Sequence, residues 1–246
     1  MDRLLYISGV GARQIDQAQT LHANNLANVS TTGFRADLAR SEARWVEGQG
    51  HPARVYGVNQ TEHVDLSAGV KQQTGRNLDV AVAGDGLIAL QMPDGSEAYT
   101  RSGQFQLDAF GRLLGDDGFP VLGDGGPIAL PPFTQLHIGG DGTISVQPEG
   151  QSPDTLVEVA RIKLVNPTAD TLTKNSSGNL VRKDGEVEVR SEDVRLDSGF
   201  LETSNVNAVH ELTSILSLAR QFELEVKLMQ TAKENDEAST RLLQIG

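Results

Sequence analysis

A long helical repeat near the C-terminal end places the strongest constraint on the fold. Apolar residues recur there at steps of three and four within residues 205–243. They are Val209, Leu212, Leu216, Ala219, Phe222, Val226 and Met229. This spacing predicts a helix with a coiled-coil-like seam, and Ser204 or Asn205 would suit its N-cap. A helix of about 38 residues is about 57 Å long, so part of it must extend beyond a small domain and needs a partner for its apolar stripe.

A second helix is predicted near the N-terminal end, over residues 2–28. Its apolar or small residues, again three or four positions apart, are Leu4, Ile7, Gly11, Ile15, Ala18 and Leu21. The face is narrow and contains glycine, so we expect this helix to be marginal when isolated. It ends in residues 23–34, ANNLANVSTTGF, where polar side chains compete for backbone hydrogen bonds. Gly33 then permits a turn with positive φ.

The middle of the chain has the pattern of a β-rich domain. Residues 35–70 show no sustained period and are predicted to be extended. From there to residue 198, short alternating runs such as residues 157–165 and 187–190 are separated by Gly and Asp turn signals. Closely spaced strands with turns between them indicate an all-β domain.

The predicted fold class is α+β, with a β-rich central domain flanked by long N- and C-terminal helices that pair in a coiled-coil-like bundle. The predicted segments are a helix and turn over 1–34, an extended connector over 35–75, a β-rich domain over 76–199 and a helix over 200–246. In the alternative arrangement, both helices pack on their own β-domain. The length of the second helix argues against that alternative.

Composition argues against several classes of function. The formal net charge is −12, which disfavours binding to nucleic acid and to an anionic membrane surface. The chain has no cysteine, so it forms no disulfide and no thiolate metal site. No apolar stretch reaches the length of a signal-peptide core or a membrane helix. We therefore expect no nucleic-acid partner, no direct membrane insertion, and a protein that is cytoplasmic or is exported without a cleaved signal peptide.

No group of residues indicates catalysis, metal binding or a cofactor. The run Gly84-Asp85-Gly86 is not a dinucleotide-binding motif, and the Asp–Gly clusters are better explained as hairpin turns. The histidines lack metal-ligand spacing; they are His22, His51, His63, His137 and His210. We expect no catalytic residues, no metal and no cofactor, and we predict that the chain is not an enzyme.

Motifs spread along the chain resemble those of the flagellar rod and hook axial proteins, in the same order. They are residues 23–34, ANNLANVSTTGF; residues 78–86, LDVAVAGDG; residues 99–105, YTRSGQF; and residues 198–207, SGFLETSNVN. They span nearly the whole chain, and the first and last are highly specific. The short length, the Met1-Asp2 start and the run RQFE at residues 220–223 are similar to proximal-rod members of that family.

The resemblance implies a structural subunit that polymerises through its terminal helices. In this family these helices form the inner tube, and the β-domain forms the outer layer. The implied partners are other rod proteins, copies of the same chain and, during secretion, the flagellar export apparatus. The implied location is the periplasm-spanning rod of the basal body. Two alternatives stay open: a distal-rod subunit of the same family, and a non-catalytic β-domain binding module.

The residues that match the terminal motifs are the candidate assembly residues. The N-terminal set comprises Asn24, Asn25, Leu26, Ala27, Asn28, Gly33 and Phe34. The C-terminal set comprises Leu201, Glu202, Ser204, Asn205 and Val206, followed by the seam from Val209 to Met229 given above. On this interpretation the Asn side chains and Thr32 bond the backbone where the first helix ends. If Phe222 is fully buried in an assembly, its replacement by Ala would cost about 3–5 kcal/mol.

Overall fold

The computed structural model describes residues 2–45, 55–148, 150 and 156–244. Helix α1 spans Asp2–Ala27 and helix α2 spans Ala208–Gln244, with β-strands between them. The predicted α+β class, with a helix at each end and a β-rich middle, is therefore confirmed. Both helices begin and end within a few residues of the predicted limits.

The chain forms two compact units. The first, called here the helical unit, comprises Met1–Ala27, Asp37–Thr61 and Asn207–Gly246. The second, called the β-unit, comprises Asn28–Ala36 and Glu62–Val206. The segment predicted as a connector, residues 35–75, is divided between these units.

In the helical unit, α1 and α2 pack against each other in antiparallel directions. His22 of α1 contacts Glu211 of α2, and a Cβ atom at Gly11 would lie 3.3 Å from the carboxyl carbon of Glu225. Residue numbers therefore fall along α1 as they rise along α2. Strand β1 (Asp37–Trp45) also contacts α1 and pairs with strand β2 (Val55–Val64).

The buried face of α1 differs from the predicted one at its start. Ile7, predicted to lie on that face, is 56% exposed, whereas the neighbouring Ser8 is 3% exposed. Ala12 is buried one turn further on. Small side chains let the two backbones approach closely, so the contact uses Ser8 and Ala12 rather than the larger side chain beside them.

The β-unit contains short strands. In chain order they are β3 (Lys71–Gln73), β4 (Val80–Ala83), β5 (Leu87–Gln91), β6 (Glu97–Thr100), β7 (Gln106–Leu107), β8 (Leu113–Leu114), β9 (Leu122–Gly123), β10 (Gly126–Pro127), β11 (Phe133–Ile138), β12 (Thr143–Pro148), β13 (Val157–Arg161), β14 (Leu164–Val165), β15 (Leu172–Lys174), β16 (Leu180–Arg182), β17 (Arg195–Ser198) and β18 (Phe200–Glu202). A single 3-10 turn, Ala169–Thr171, precedes β15 in the described part of the chain.

The largest sheet has the strand order β14-β5-β6-β16-β15, and a second sheet has the order β11-β12-β13. Outside these sheets, two further pairings join strands that are distant along the chain: β17 with β4, and β18 with β3. The last strands before α2 are thus hydrogen-bonded to the first strands of the β-unit.

Strand β5 contributes to both hydrophobic clusters of the β-unit. Ile88 and Leu90 belong to the larger cluster, and Leu87 and Ala89 to the smaller one. Successive residues of a strand point to opposite faces. Burial on both faces explains why this strand has an unbroken apolar sequence.

Two of the alternating runs do not form the expected strands. Residues 187–190 are not a strand, and Val187 and Val189 are 61% and 83% exposed. The Glu188 N–H donates to the Tyr99 hydroxyl at 2.9 Å instead of to a neighbouring strand. The run over residues 157–165 is divided between β13 and β14, which belong to different sheets. Alternation alone does not specify a pairing partner, and this explains both differences.

Candidate functional site

A buried charged cluster joins the motifs from three parts of the chain. Arg35 Nη2 lies 2.5 Å from Glu202 Oε1, and Arg101 Nη1 lies 3.0 Å from Glu202 Oε2. Side-chain exposure is 2% for each arginine and 0% for the glutamate. We call these three residues the buried junction. Arg35 directly follows the first motif, Arg101 lies in the third, and Glu202 lies in the last.

Backbone groups complete much of the hydrogen bonding of the buried junction. The Gly69 N–H donates to Glu202 Oε1 at 2.7 Å, and Arg101 Nη2 donates to the Gly84 carbonyl at 2.7 Å. Among the described residues, neither arginine Nε atom has a hydrogen-bond partner. Burial lowers the pKa of Arg35, and the Glu202 carboxylate opposes that shift. Because two buried cations share one anion, loss of the carboxylate would remove the ion-pair partner of both.

Gly33 supports the buried junction through its backbone. Its φ is +69°, which confirms the predicted turn with positive φ. Its N–H donates to the Glu202 carbonyl at 2.8 Å, and a Cβ atom at this position would lie 2.2 Å from the Ser102 nitrogen. The close approach and the backbone conformation both require glycine.

Asparagine side chains hold extended backbone near both terminal motifs. Within the helical unit, Asn25 accepts from the Asp37 N–H and donates to its carbonyl, both at 2.9 Å. Within the β-unit, Asn205 accepts from the Ala36 N–H at 2.8 Å and donates to the Asp65 carbonyl at 2.9 Å. Asn25, near the end of α1, was expected to bond backbone, and the backbone that it bonds is that of Asp37, at the start of β1. Asn205, within the last motif, likewise bonds backbone groups of Ala36 and Asp65.

The other residues of the terminal motifs lie around these contacts. The Phe34 ring is half-buried beneath the Lys174 ammonium, whose nitrogen is 3.9 Å from the ring centroid. The Thr31 hydroxyl donates to Asn28 Oδ1 at 3.2 Å. Thr32, Leu26, Leu201 and Val206 are half-buried, Ala27 and Asn24 are exposed, and Ser204 is buried.

The N-cap of α2 is Asn207, not Ser204 or Asn205. Asn207 Oδ1 accepts from the Val209 N–H at 3.0 Å and the His210 N–H at 3.1 Å. The Ser204 hydroxyl oxygen accepts from the Val206 N–H, before the helix begins. Asn205 is occupied by the backbone of the β-unit, so neither predicted residue is available for capping.

The predicted seam of α2 lies largely beside its contact with α1. The seam residues Val209, Leu212 and Leu216 are 71%, 51% and 55% exposed. Phe222 is 38% and Val226 is 42% exposed, whereas Ala219 and Met229 are half-buried. The residues of α2 buried most deeply are Glu211 and Ala232.

Sequence reasoning missed several residues of these contacts. A hydrogen bond between His22 and Glu211 joins the last turns of α1 to the first turn of α2, and this pairing was not predicted. Arg35 and Arg101 were also missed. A signal did exist: Glu202 lies among the apolar and small residues of the last motif, and a carboxylate that becomes buried on folding is generally paired with a cation.

The part of the chain that the structure describes contains no group of three or more His, Cys, Asp or Glu residues able to hold a metal ion. Its helices include none that is both long and apolar enough to cross a membrane.

Comparison with known proteins identifies the family. The family model described as "Flagellar basal body rod FlgEFG protein C-terminal" matches residues 197–242, and "Flagellar hook protein FlgE/F/G D1 domain" matches residues 81–146. The flagellar basal-body rod protein FlgF of Escherichia coli (strain K12) is 38% identical over the full length of both chains. The chain belongs to the flagellar FlgEFG rod and hook family.

Further FlgEFG relatives show the same extent of similarity. The flagellar basal-body rod protein FlgF of Salmonella typhimurium is 36% identical over the full length of both chains. The flagellar basal-body rod protein FlgG of Bacillus subtilis (strain 168) is 32% identical over 95% of this chain and 96% of that protein. The C-terminal match includes Glu202 and most of α2, so Glu202 and the exposed face of α2 belong to one family segment. Arg101 lies in the other matched segment.

Proposed function

We propose that this chain is a structural subunit of the proximal rod of the bacterial flagellar basal body, and that it polymerises through its terminal helices into a tube. The observation that carries the proposal is the row of exposed apolar side chains on α2. Val209, Leu212 and Leu216 are each more than half exposed, although apolar side chains of this size are usually buried in a globular domain. Exposed apolar rows are typical of surfaces that bind another protein.

The α1–α2 contact supports the proposed coiled-coil-like pairing. The buried or half-buried positions of α2 include Glu211, Ile215, Leu218, Glu225, Met229 and Ala232. They lie at steps of 4, 3, 7, 4 and 3 residues, which fits a repeat of about 3.5 residues if one position is skipped, the spacing of helices that wind around each other. Those of α1 include Ser8, Ala12, Ile15, Gln19 and His22, at the same spacing. With this face occupied, the exposed row on α2 is left for neighbouring subunits.

The proximal position, the partners and the location are further parts of this proposal. FlgF relatives match over the full length of both chains, which favours the proximal-rod assignment over the distal-rod alternative. Other rod proteins and copies of this chain are the proposed neighbours. The periplasm-spanning rod as location, and delivery by the flagellar export apparatus, rest on membership of the family. The role proposed is structural and not enzymatic.

The buried junction has a defined part in this function. It links residues 28–36 to residues 199–206, the two stretches through which the chain enters and leaves the β-unit. The ion pair between Arg35 and Glu202 holds these two stretches to each other, and Arg101 adds a further contact from the middle of the chain. In a tube that carries torque, we propose that this link resists separation of the two stretches.

Paired substitutions on α2 test the assembly role. A Leu212→Asp/Leu216→Asp variant places charge on the exposed row, and a Thr213→Asp/Ser217→Asp variant places the same charge on exposed positions one residue further along. Each variant would replace the wild-type chain in motile cells, and its amount in isolated basal bodies would be measured. We expect the first variant to be lost from basal bodies and the second to be retained. Equal incorporation of both would exclude this row as an assembly surface and favour a β-domain binding module.

A further inference from the structure

Aspartate is followed directly by glycine at six places in the β-unit, and such a pair can rearrange its own backbone. The six pairs begin at Asp85, Asp94, Asp117, Asp124, Asp141 and Asp184. In this rearrangement the glycine amide nitrogen attacks the side-chain carboxyl carbon of the preceding aspartate. Glycine favours the attack because it has no Cβ atom and leaves the backbone free to turn.

The rearrangement has two steps and needs no reactant except water. In the first step, a bond forms between the glycine nitrogen and Cγ of the aspartate. The amide proton and the carboxyl OH leave together as one water molecule, and a succinimide ring remains. In the second step, water opens the ring at either carbonyl carbon. Opening at Cγ restores aspartate, whereas opening at the main-chain carbon gives isoaspartate, whose backbone is one carbon longer.

Four of the six pairs hold the glycine amide in a hydrogen bond. The N–H donates to the carbonyl three residues earlier, at 2.9–3.2 Å, in Gly95, Gly118, Gly142 and Gly185. The carboxylates of Asp94, Asp141 and Asp184 are held as well, since each accepts from the N–H two residues further on. The amide bond must open before the nitrogen can attack, and a hydrogen bond of ordinary strength slows the attack by about two- to tenfold.

The pair Asp85–Gly86 is enclosed by its surroundings. Gly86 is buried, and a Cβ atom there would lie 2.6 Å from the Val194 side chain and 3.1 Å from the Val165 carbonyl oxygen. Packing this close leaves no room for ring closure or for an additional backbone carbon.

The pair Asp124–Gly125 differs from the other five. It forms the tip of the hairpin β9–β10, in which Gly123 pairs with Gly126. Gly125 is exposed, and a Cβ atom there would have no neighbour within 4 Å. Among the residues that the structure describes, none accepts a hydrogen bond from the Gly125 N–H. This amide is therefore both accessible and free to approach the Asp124 carboxyl group, and attack within one chain is efficient when the geometry allows it.

We propose that Asp124–Gly125 is the site at which the folded chain converts aspartate to isoaspartate. The conversion lengthens the hairpin turn by one carbon. It also displaces the carboxylate that accepts from Arg190 Nη1 at 2.9 Å, and so weakens the contact between the hairpin and the segment around Arg190. The modified chain has the same mass as the original, and only the intermediate ring is lighter, by one water molecule.

One tryptic peptide allows a direct comparison. Residues 113–161 contain Asp117, Asp124 and Asp141, and neither lysine nor arginine lies between Arg112 and Arg161. The purified full-length chain would be kept folded at neutral pH for several weeks and then digested. Mass spectrometry with electron-transfer fragmentation locates isoaspartate within the peptide. We expect at least about fivefold more isoaspartate at position 124 than at position 117 or 141, because only there is the next amide free.

The same chain unfolded in guanidinium chloride is the matched control. All three aspartates are followed by glycine, so without the fold they should react at similar rates. Equal amounts of isoaspartate at the three positions of the folded chain would overturn the proposal. A preference for position 124 that persists in the unfolded chain would also overturn it, since the fold would then not select the site.

A Gly125→Ala variant tests the attacking group. The added methyl group enters open space, so the fold is kept, but the side chain obstructs the attack by the nitrogen. Isoaspartate at position 124 should fall at least about fivefold, and the amounts at positions 117 and 141 should not change. A variant that forms as much isoaspartate at position 124 as the wild-type chain would contradict the proposal.

Discussion

At the scale of single residues, Glu202 is the point on which the β-unit depends most. It is fully buried and is the carboxylate partner of both Arg35 and Arg101. Its backbone carbonyl accepts from Gly33, and its side chain accepts from Gly69. One residue thus pairs with two arginines and accepts hydrogen bonds from widely separated stretches of the chain.

We expect Glu202→Gln to lower the free energy of unfolding by about 3–5 kcal/mol, because it removes the ion-pair partner of two buried arginines. Urea denaturation of the full chain measures this loss. Asp197→Asn is the matched control: its partner is Lys71, both side chains are partly exposed, and the expected loss is about 0–1 kcal/mol. A Glu202→Gln variant no less stable than the control would show that the buried junction does not stabilise the fold.

Gly33→Ala and Gly75→Ala separate crowding from backbone strain. Both glycines have positive φ, +69° and +73°, but only Gly33 has backbone atoms within 3 Å of the position of a Cβ atom. Gly75→Ala should cost about 1–2 kcal/mol for the left-handed conformation alone. Gly33→Ala should cost clearly more, since Ser102 must move. Equal thermal stability of the two variants would contradict this explanation.

At the scale of elements, the ends of α2 show what local sequence can and cannot specify. The helix itself follows from its apolar period, and its limits were predicted to within a few residues. Its N-cap was not, because Asn205 and Ser204 have partners outside the helix that only the folded chain provides.

Replacing the N-cap tests this assignment. Asn207→Ala should lower the stability of the helical unit by about 1 kcal/mol, because the Val209 and His210 N–H groups lose their acceptor. Asn207→Ser, which keeps an acceptor, should lose much less. The helical signal of both variants would be followed by circular dichroism during thermal unfolding. A loss with Ser as large as that with Ala would argue against side-chain capping.

The periodicity of apolar residues also could not predict which face of α2 contacts α1. Apolar residues selected the row containing Leu212 and Leu216, yet the deepest contact in that region is the polar Glu211, paired with His22. The partner of a polar side chain lies far away in the sequence, so its burial cannot be read from its neighbours. In contrast, the turn with positive φ at Gly33 was predicted well, because it depends on local backbone geometry, whereas the close approach of Gly33 to Ser102 was not predicted.

At the scale of the whole molecule, the two units differ in what they bury. The β-unit fully buries large side chains such as Tyr99 and Phe105, whereas the buried residues described in α1 are Ser8, Ala12, Leu21 and Asn25, of which only Leu21 is a large apolar side chain. Burial of small side chains contributes less free energy, in proportion to the apolar area removed from water.

We therefore expect the helical unit to open at a lower free energy than the β-unit in the isolated chain. Native-state hydrogen exchange measures both, since the amides of α1 and α2 can be compared with those of β5 and β6. Exchange from the helices should be governed by a smaller opening free energy, and assembly should raise it. Identical opening free energies for helices and strands would show that the chain unfolds as one cooperative unit.

The buried junction also sets an order of events in time. Glu202 is 167 residues from Arg35 and 101 residues from Arg101 along the chain, so a ribosome completes both arginines long before their shared carboxylate. Until then each arginine is best hydrated, and burying it would be unfavourable. Closing such long loops is also slow. We therefore expect folding of the β-unit to await its last few residues, and a chain truncated before residue 202 to leave the β-unit unfolded.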